Sequence, residues 1–537
     1  KLIEVVVIGY GVKDDKRSMN APTMLQGKVS GIAIDQGESE QPQFNTEEYD
    51  AINENIFHGA KQNPLSTFSI DVDAASYANM RRFIQNGQRP PVDAVRIEEM
   101  VNYFDYNYSQ TKNDDPFSVY TEISTAPWNE KHKLVHIGLQ GKIIPTDNLP
   151  ASNLVFLIDV SGSMMSENKL PLVKASLKML TDQLREKDNI SIVVYAGNAG
   201  LVLPTTSGSD KMKIKNAIDA LEAGGSTAGG AGIKLAYKTA KDNFLKNGNN
   251  RVILCTDGDF NVGASSDDAL VTMIEKERKS GVYLTVLGYG MVNYKDNKMQ
   301  QLADKGNGNH AYIDGINEAK KVLVNEFGGT LFTIAKDVKL QVEFNPAKVA
   351  GYRLIGYENR MLKKEDFNDD KKDAGELGSG HTVTALYEII PVGVKSSFLK
   401  NVDPLKYQKY PDRISSDSKE LLTVKFRYKD PAKDNSELIV HPVMDNGVTF
   451  NATSNNFRFA VAVAGFGMLL RESEFKGTSS YNNILQIATS ATGNDNEGYR
   501  KEFITLVKKA ATLAKATAKI DDEQEEIHRR IFYSEYH

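Results

Sequence analysis

The chain has 537 residues, which exceeds the length that one hydrophobic core usually supports, so several domains are expected. Its 65 lysines and arginines against 70 aspartates and glutamates give a net charge of -5 without a long basic tract, which argues against a nucleic-acid partner or a polybasic membrane anchor. A single cysteine, Cys255, excludes a disulfide scaffold, and its position in the apolar run "RVILCTDG" favours a small buried side chain over a reactive thiol.

The first part of the chain, residues 1–62, is expected to be mostly flexible. After a short apolar start it contains the polar stretch "DQGESEQPQFNTEEYDAINEN", which has too little apolar content to pack a core. No secretory signal is visible, and because the sequence begins abruptly at "KLIEVVVIGYG" a processed or trimmed form is expected. The compartment therefore cannot be inferred from these residues.

Two short segments with different patterns follow. Residues 63–112 begin with a strand pattern and continue with a helical one. Four side chains at helical spacing predict this helix: Ala74, Tyr77, Arg81 and Ile84. Residues 113–152 contain "FSVYTEIST" and "KLVHIGLQGKI", whose period of two predicts half-buried antiparallel strands. We interpret the first segment as a compact companion unit and the second as strands of a sandwich.

Residues 153–331 alternate between apolar strands and amphipathic helices. The strand runs include "LVFLIDVS", "ISIVVYA", "RVILCTDGD" and "VYLTVLGYG", and helical runs such as "KLPLVKASLKMLTDQLRE" separate them. Strands that are apolar on both faces and alternate with helices specify a doubly wound, mostly parallel sheet. The predicted fold class of this unit is therefore α/β.

Period-two strands return in residues 332–454, so an α/β unit interrupts a β-rich one. In "DVKLQVEFN" one face carries four apolar side chains: Val338, Leu340, Val342 and Phe344. Neither flank alone supplies the three or more strands that an independent sheet needs. We therefore expect strands from both flanks to pair in one β-sandwich, into which the α/β unit is inserted and from which it projects.

Residues 455–537 are expected to be helical. The longest apolar run of the chain, "FRFAVAVAGFGMLL", is too short to span a bilayer, which takes about 20 residues, and indicates a buried helix. A second helix is marked by a single apolar stripe: Tyr499, Phe503, Leu506, Ala510 and Leu513. We predict no transmembrane span.

The stretch "LVFLIDVSGSMM" places an aspartate and two serines at the end of a buried strand. Ligands of open α/β sheets collect beyond the carboxyl ends of the strands, so other segments at that edge can join these side chains. The glycine-rich loop "GGSTAGG" offers a threonine, and "CTDGD" ends a second apolar strand. The combined set is all oxygen and suits Mg²⁺, with Mn²⁺ or Ca²⁺ as alternatives: Asp159, Ser161, Ser163, Thr227 and Asp257. The other interpretation is a polar loop in which Ser163 caps the next helix.

This pattern resembles the von Willebrand factor type A (VWA) domains, whose metal-ion-dependent adhesion site uses Asp-x-Ser-x-Ser, a threonine on a later loop and an aspartate ending a later strand. All five positions match here, so the resemblance implies an intact metal site. The flanking segments, among them "STFSIDVDAASYANMRRFI" and "LLTVKFRYKDP", resemble a bacterial subfamily in which companion domains precede and follow the VWA domain. This resemblance covers residues 63–514.

A smaller resemblance lies at the start of the chain. "EVVVIGYG" followed by "MLQGKVSGIAI" is similar to the beginning of the plug region in TonB-dependent outer-membrane receptors of Bacteroidetes-type bacteria. It covers residues 4–34. The resemblance implies a cell-envelope protein, in the periplasm or at the outer-membrane surface, that engages TonB or an outer-membrane receptor, and it leaves open a lipid anchor before the given start. The alternative is a relic segment with no binding role.

Several other motifs favour a site only weakly. "VVVIGYGVKD" mimics a dinucleotide-binding turn but lacks the third glycine and the following helix. "DGDFNVGASSDD" approaches a calcium loop but has Val262 where an EF-hand needs glycine and Asp268 in place of the closing glutamate. The eight histidines form no His-x-x-x-His pair, so a catalytic zinc site has little support, and His136 is expected to be an ordinary strand residue. Three serines lack the nucleophile context of serine hydrolases: Ser161, Ser163 and Ser226.

The ligand composition of the predicted metal site favours a role in binding a partner protein. With two carboxylates among five ligands, a bound ion keeps positive character and can accept an Asp or Glu carboxylate from a partner protein. We therefore expect a non-enzymatic, metal-dependent protein-binding module of the cell envelope. Two alternatives stay open: a metal-assisted hydrolase, for which no general base near Asp159 is evident, and a structural envelope protein whose metal only braces a loop.

Overall fold

The computed structural model describes residues 47–111, 114–226, 229–258, 267–291, 294–326, 332–372, 374–399, 418–431 and 433–516. Within these ranges the secondary structure divides into three sheets and the helices that pack on them. Residues 4–34, which resemble the start of a receptor plug, lie outside the described residues.

A six-stranded sheet forms the centre of the α/β unit. Its strands are β5 (Ser152–Asp159), β6 (Asn189–Tyr195), β7 (Ala199–Ser207), β8 (Asn249–Thr256), β9 (Val282–Tyr289) and β10 (His310–Ile313). The order across the sheet is β10-β9-β8-β5-β6-β7; β7 pairs antiparallel with β6, and the other pairs are parallel. Every residue of β5 is buried, as expected for a strand with helices on both faces. The predicted doubly wound, mostly parallel sheet is confirmed.

Helices connect these strands and cover both faces of the sheet. They are α3 (Leu170–Gln183), α4 (Lys211–Asp219), α5 (Gly229–Asp242), α6 (Asp267–Lys279), α7 (Asp296–Lys305) and α8 (Ile316–Lys320), and α8 continues as a π-helical turn over Lys321–Asn325. Two separate apolar cores result, one on each face of the sheet. The apolar stripes of the helices and the two-sided apolar strands together specify this layered arrangement.

Two antiparallel sheets form the sandwich. The first contains, in spatial order, β1 (His58–Gly59), β12 (Val349–Ile355), β15 (Thr382–Pro391), β4 (Asn129–Gly141) and β3 (Phe117–Ala126). The second contains β13 (Met361–Leu362), β2 (Leu65–Ser69), β11 (Thr333–Phe344), β16 (Glu420–Lys429) and β17 (Ser436–Met444), and β14 (Gly375–Gly378) also pairs with β11.

Strands from before and after the α/β unit pair with each other in both sheets of the sandwich. In the first sheet His136 of β4 lies opposite Leu386 of β15, and in the second Ser66 of β2 lies opposite Val342 of β11. The alternating apolar residues of β11 point into the core between the sheets, where four are buried: Val338, Leu340, Val342 and Phe344. The predicted insertion of the α/β unit into one shared sandwich is confirmed.

The helical elements outside the α/β unit pack together in one further core. They are α1 (Ala75–Gln85), α2 (Ile97–Asn102), α9 (Asn455–Leu470), α10 (Tyr481–Ser490) and α11, which covers 499–516 of the described residues. The apolar run from Phe457 forms the buried helix α9, and the predicted stripe of α11 buries Phe503, Leu506 and Ala510. In the described part of the chain, no helix has the length and apolar character needed to cross a membrane.

Two features of the described residues were not expected from the sequence. The α/β unit packs against α1, because Ala75 and Ala78 of α1 lie in the same core as Tyr312 of β10. Flexibility does not extend over residues 47–62, because β1 pairs with β12 and Phe57 is buried. Both differences have one cause: apolar side chains in short segments bury themselves against distant elements, which local composition cannot show.

Candidate functional site

The predicted site lies at the carboxyl edge of the six-stranded sheet. Strand β5 ends at Asp159, and Asp257 follows the last residue of the neighbouring strand β8. The two strands are parallel and in register, with Ile158 opposite Cys255, so the two carboxylates stand at the ends of adjacent strands. This is the edge at which open α/β sheets place their ligands.

The residues after Asp159 form a tight loop that folds back on its carboxylate. The Ser161 backbone N–H donates a hydrogen bond to Asp159 Oδ1 at 2.8 Å, and the Ser161 and Ser163 hydroxyls lie 3.0 Å apart. A short 3₁₀ turn over Gly162–Met165 follows, and α3 begins only at Leu170, without a side-chain cap. The alternative in which Ser163 caps this helix is therefore wrong.

The glycine-rich loop approaches the same place through its backbone. The Gly224 N–H donates to the Val160 carbonyl at 2.7 Å, and the Gly162 N–H donates to the Gly225 carbonyl at 3.0 Å. Residues 224–225 of the loop thus contact the Asp-x-Ser-x-Ser segment. Thr227 itself lies outside the described residues, so its part in the site stays a prediction.

Burial makes the Asp159 carboxylate costly to keep charged without a cation. Asp159, Ser161 and Asp257 are buried, whereas Ser163 is exposed. Burial raises the pKa of Asp159 to about 6; the Ser161 backbone and hydroxyl oppose this rise, and the charge of Asp257 adds to it. Asp159 Oδ2 accepts no hydrogen bond of ordinary geometry from the described residues, although the Tyr195 hydroxyl lies near enough to lower the pKa of the carboxyl.

Lys169 is a member of the site that the sequence reasoning missed. Its Nζ donates to Asp257 Oδ2 at 2.8 Å, and the side chains of both residues are buried. The lysine stem packs against Gly290, whose φ is +80° and at which a Cβ would overlap the Lys169 side chain. The sequence shows Lys169 only as the first residue of a helical run, so nothing local signals its contact with Asp257.

The donors that the structure brings together fit a hard divalent cation. Two carboxylates and two hydroxyls are oxygen donors of the kind that Mg²⁺ prefers, and the buried Asp159 Oδ2, which accepts no hydrogen bond of ordinary geometry from the described residues, is an oxygen that such an ion would satisfy. The Lys169 ammonium already contacts one oxygen of Asp257, so a bound ion would share that carboxylate with it. Among the described residues, no group of three or more His, Cys, Asp or Glu side chains could hold a metal.

The remaining candidates from the sequence are structural or lie outside the described residues. Cys255 is fully buried, and burial raises the pKa of its thiol to about 12, which suits a core residue. His136 lies in β4, where its Nε2 is 2.8 Å from the Tyr108 hydroxyl. Most of the calcium-like loop, residues 259–266, is outside the described part of the chain.

Comparison with known proteins identifies the family. Family models match residues 153–322 as a von Willebrand factor type A domain, residues 43–136 as von Willebrand factor, and residues 329–513 as the C-terminal domain of YfbK. The chain is 47% identical over 473 residues to YfbK of Escherichia coli (strain K12), an alignment that covers 87% of this chain and 81% of that protein. The chain belongs to the YfbK family. It thus contains a VWA domain followed by the companion C-terminal domain of that family, as the sequence resemblance implied.

Two solved structures show more distant likeness. A von Willebrand factor type A protein from Catenulispora acidiphila is 16% identical, with 72% of this chain and 89% of that chain covered and a TM-score of 0.38. BatB from Bacteroides thetaiotaomicron is 22% identical, with 33% of this chain and 97% of that chain covered and a TM-score of 0.29. VWA domains in general are protein-interaction or adhesion modules rather than enzymes.

Proposed function

We propose that this member of the YfbK family is a non-enzymatic, divalent-metal-dependent protein-binding module of the bacterial cell envelope. One observation carries the proposal: the buried Asp159 carboxylate, beside Asp257, has one oxygen held by its own loop, whereas the other accepts no hydrogen bond of ordinary geometry from the described residues. Such an arrangement costs free energy unless a cation is bound there.

The ion would be Mg²⁺, with Mn²⁺ or Ca²⁺ as alternatives, and five residues would hold it: Asp159, Ser161, Ser163, Thr227 and Asp257. When bound, it supplies a positive charge that can accept an Asp or Glu carboxylate from a partner. The chain's own groups prepare this function, because Ser161 orients Asp159 and Lys169 neutralises part of the charge of Asp257. Less negative charge around the ion favours binding of an acidic partner.

The cellular setting is also part of the proposal. The resemblance of residues 4–34 to a receptor plug supports the periplasm or outer-membrane surface as the location and TonB or an outer-membrane receptor as a second partner. We further propose division of the chain at residues 62, 112, 152, 331 and 454, with the metal site in the unit formed by residues 153–331.

Metal titration of matched variants tests the metal site. We expect wild-type protein and Asp219→Asn to bind Mg²⁺ with the same affinity, because Asp219 is an exposed carboxylate paired with Lys178. Asp159→Asn should stay folded and lose most of the binding, since it removes the charge and keeps the shape of the side chain. Equal affinity of all three proteins in calorimetry would refute the assignment of Asp159.

A pull-down with and without chelator tests recognition separately from metal binding. Partners that are captured with Mg²⁺, lost with EDTA and lost with Asp159→Asn would support a metal-dependent binding module. If the protein binds Mg²⁺ but captures the same partners with and without EDTA, the ion only braces the loop. In that case the proposed function is wrong, even though the metal site is right.

A further inference from the structure

Arg251 is a buried cation that contacts no carboxylate among the described residues. It lies near the start of β8, at the sheet edge opposite Asp257, and is 2% exposed. Its Nη1 donates to the Thr285 hydroxyl at 2.8 Å, its guanidinium lies 5.6 Å from the centre of the Tyr283 ring, and its buried Nε donates no hydrogen bond to a described residue. Across the described ranges, no carboxylate oxygen comes within 4.0 Å of this guanidinium.

An arginine in this state is energetically unusual. Burial lowers the pKa of Arg251 to about 10, and the more distant charge of Glu376 opposes this only in part, so the group stays protonated at neutral pH. A charge that is taken out of water without an ion-pair partner costs several kcal/mol, which is why buried arginines normally contact carboxylates. The position therefore calls for an anion.

A cleft of about 400 Å³ gives an anion access to Arg251. One wall belongs to the α/β unit and includes Arg251, Lys305 and Asn307, and the other belongs to the sandwich and includes Lys372 and His381. The cleft thus lies at the junction of the two units. Lys372 is exposed at its rim, so a second positive charge faces solvent there.

Two of the three acidic side chains that line the cleft pair with Arg360, and the third, Glu376, accepts a hydrogen bond from an amide. Arg360 Nη1 contacts Asp304 Oδ2 at 2.8 Å and Asp71 Oδ2 at 3.0 Å, and the Asn307 side-chain amide donates to Glu376 Oε1 at 3.3 Å. Burial raises the pKa of Asp71 to about 8, and the charge of Arg360 opposes this rise. Arg251 is therefore the buried cation of the cleft that contacts no carboxylate among the described residues.

We propose that this cleft binds an oxyanion, the carboxylate or phosphate group of a small molecule, through the guanidinium of Arg251. A guanidinium offers parallel N–H donors that match two oxygens of such a group, and low exposure strengthens the contact. Because the two walls belong to different units, a bound anion would hold the α/β unit against the sandwich. This site is independent of the metal site, which lies at the opposite edge of the sheet.

Thermal unfolding of the full chain with defined anions tests the proposal. The probes are inorganic phosphate and succinate, added at constant ionic strength against sodium chloride, and the variant is Arg251→Gln. Arg89→Gln is the control, because Arg89 is an exposed arginine that pairs with Glu472 outside the cleft. We expect one probe to raise the Tm of wild type and Arg89→Gln by about 1–3 °C with saturation, and to leave Arg251→Gln unchanged.

The same variants give a second readout without any anion. Since Arg251 is a buried charge that contacts no carboxylate in the described part of the chain, Arg251→Gln should be at least as stable as wild type in sodium chloride alone.

The two probes distinguish the kinds of ligand. A response to phosphate alone would identify a phosphate group as the ligand, and a response to succinate alone a carboxylate. An equal Tm shift in all three proteins, or no shift in wild type, would overturn the proposal.

Crystals of wild-type protein grown with selenate provide a test that needs no variant. Selenate is an oxyanion whose anomalous scattering locates it directly. An anomalous-difference peak within hydrogen-bond distance of the Arg251 guanidinium would support the site, even if Arg251→Gln fails to fold. A cleft that contains only water at saturating selenate would refute it.

Discussion

Replacing Lys169 by methionine tests how the metal-free site is kept stable. The Lys169 ammonium contacts Asp257 Oδ2 at 2.8 Å, and the side chains of the two residues are 9% and 0% exposed. Removing one partner of a buried ion pair typically costs about 3–5 kcal/mol, because the other charge stays buried and uncompensated. Methionine keeps the stem that packs on Gly290, so we expect the lower end, a loss of about 3 kcal/mol without metal.

A bound divalent ion should reverse most of this loss, since it supplies a positive charge beside Asp257 in place of the lysine. If about 1 kcal/mol of the loss remains with metal, the thermodynamic cycle assigns the other 2 kcal/mol to metal binding. That difference corresponds to Mg²⁺ affinity that is about 30-fold tighter in Lys169→Met than in wild type. The lysine thus stabilises the metal-free protein at the cost of metal affinity.

Two measurements check this prediction. Urea unfolding in EDTA and in saturating Mg²⁺ gives the two stability differences, and calorimetric titration gives the affinities independently. Lys178→Met is the matched control, because Lys178 contacts Asp219 at 2.7 Å in an exposed pair whose loss should cost about 0–1 kcal/mol. If Lys169→Met loses no more stability than Lys178→Met in EDTA, or binds Mg²⁺ no more tightly than wild type, the reasoning is refuted.

Three further predictions follow from the site and the fold. Thr227→Ala should stay folded and metal-loaded at saturating Mg²⁺ yet bind a captured partner about 1–3 kcal/mol more weakly; equal partner affinity would favour a bracing role for the ion. Burial lowers the pKa of His136 to about 3, so between pH 6.5 and 3 the unfolded chain binds a proton that the folded protein does not. The free energy of unfolding should therefore decrease as the pH is lowered through this window, by up to about 1.4 kcal/mol per pH unit. His136→Gln should lose this part of the slope in urea unfolding at several pH values. Replacing residues 153–331 by a short linker should leave a soluble protein with a β-rich circular dichroism spectrum, because β4 still pairs with β15 and β2 with β11.

The predictable parts of the fold are those in which burial determines the pattern of apolar residues within a short segment. Strand β5 is apolar on both sides because helices cover both faces, and β11 alternates because one face meets the sandwich core. The Asp-x-Ser-x-Ser segment could be recognised equally well, since three side chains with oxygen donors lie within a few residues at the end of a buried strand. In each case a few neighbouring residues contain the whole signal.

The parts that were missed depend on residues far apart in the chain. Strand β7 is an edge strand that contains Pro204 and leaves Leu201 and Val202 exposed, so it lacks the alternation of a half-buried strand. Lys169 and Asp257 are 88 residues apart, and no spacing rule connects them. Arg251 opens an apolar run and gives no sign that its guanidinium is buried without a carboxylate.

Arg81 shows how the α/β unit is fixed to its companion segments. Its guanidinium contacts Asp314 at 2.5 Å and Glu318 at 2.7 Å, both after β10, and Glu502 of α11 at 3.0 Å. One buried cation therefore joins α1, the α/β unit and the C-terminal helix, and breaking such a cluster costs about 3–5 kcal/mol. The α/β unit consequently cannot turn away from α1 without losing these contacts. A partner that binds at Asp159, as proposed, would then meet a surface whose orientation is set in advance, so less of its binding free energy would be spent on ordering the protein.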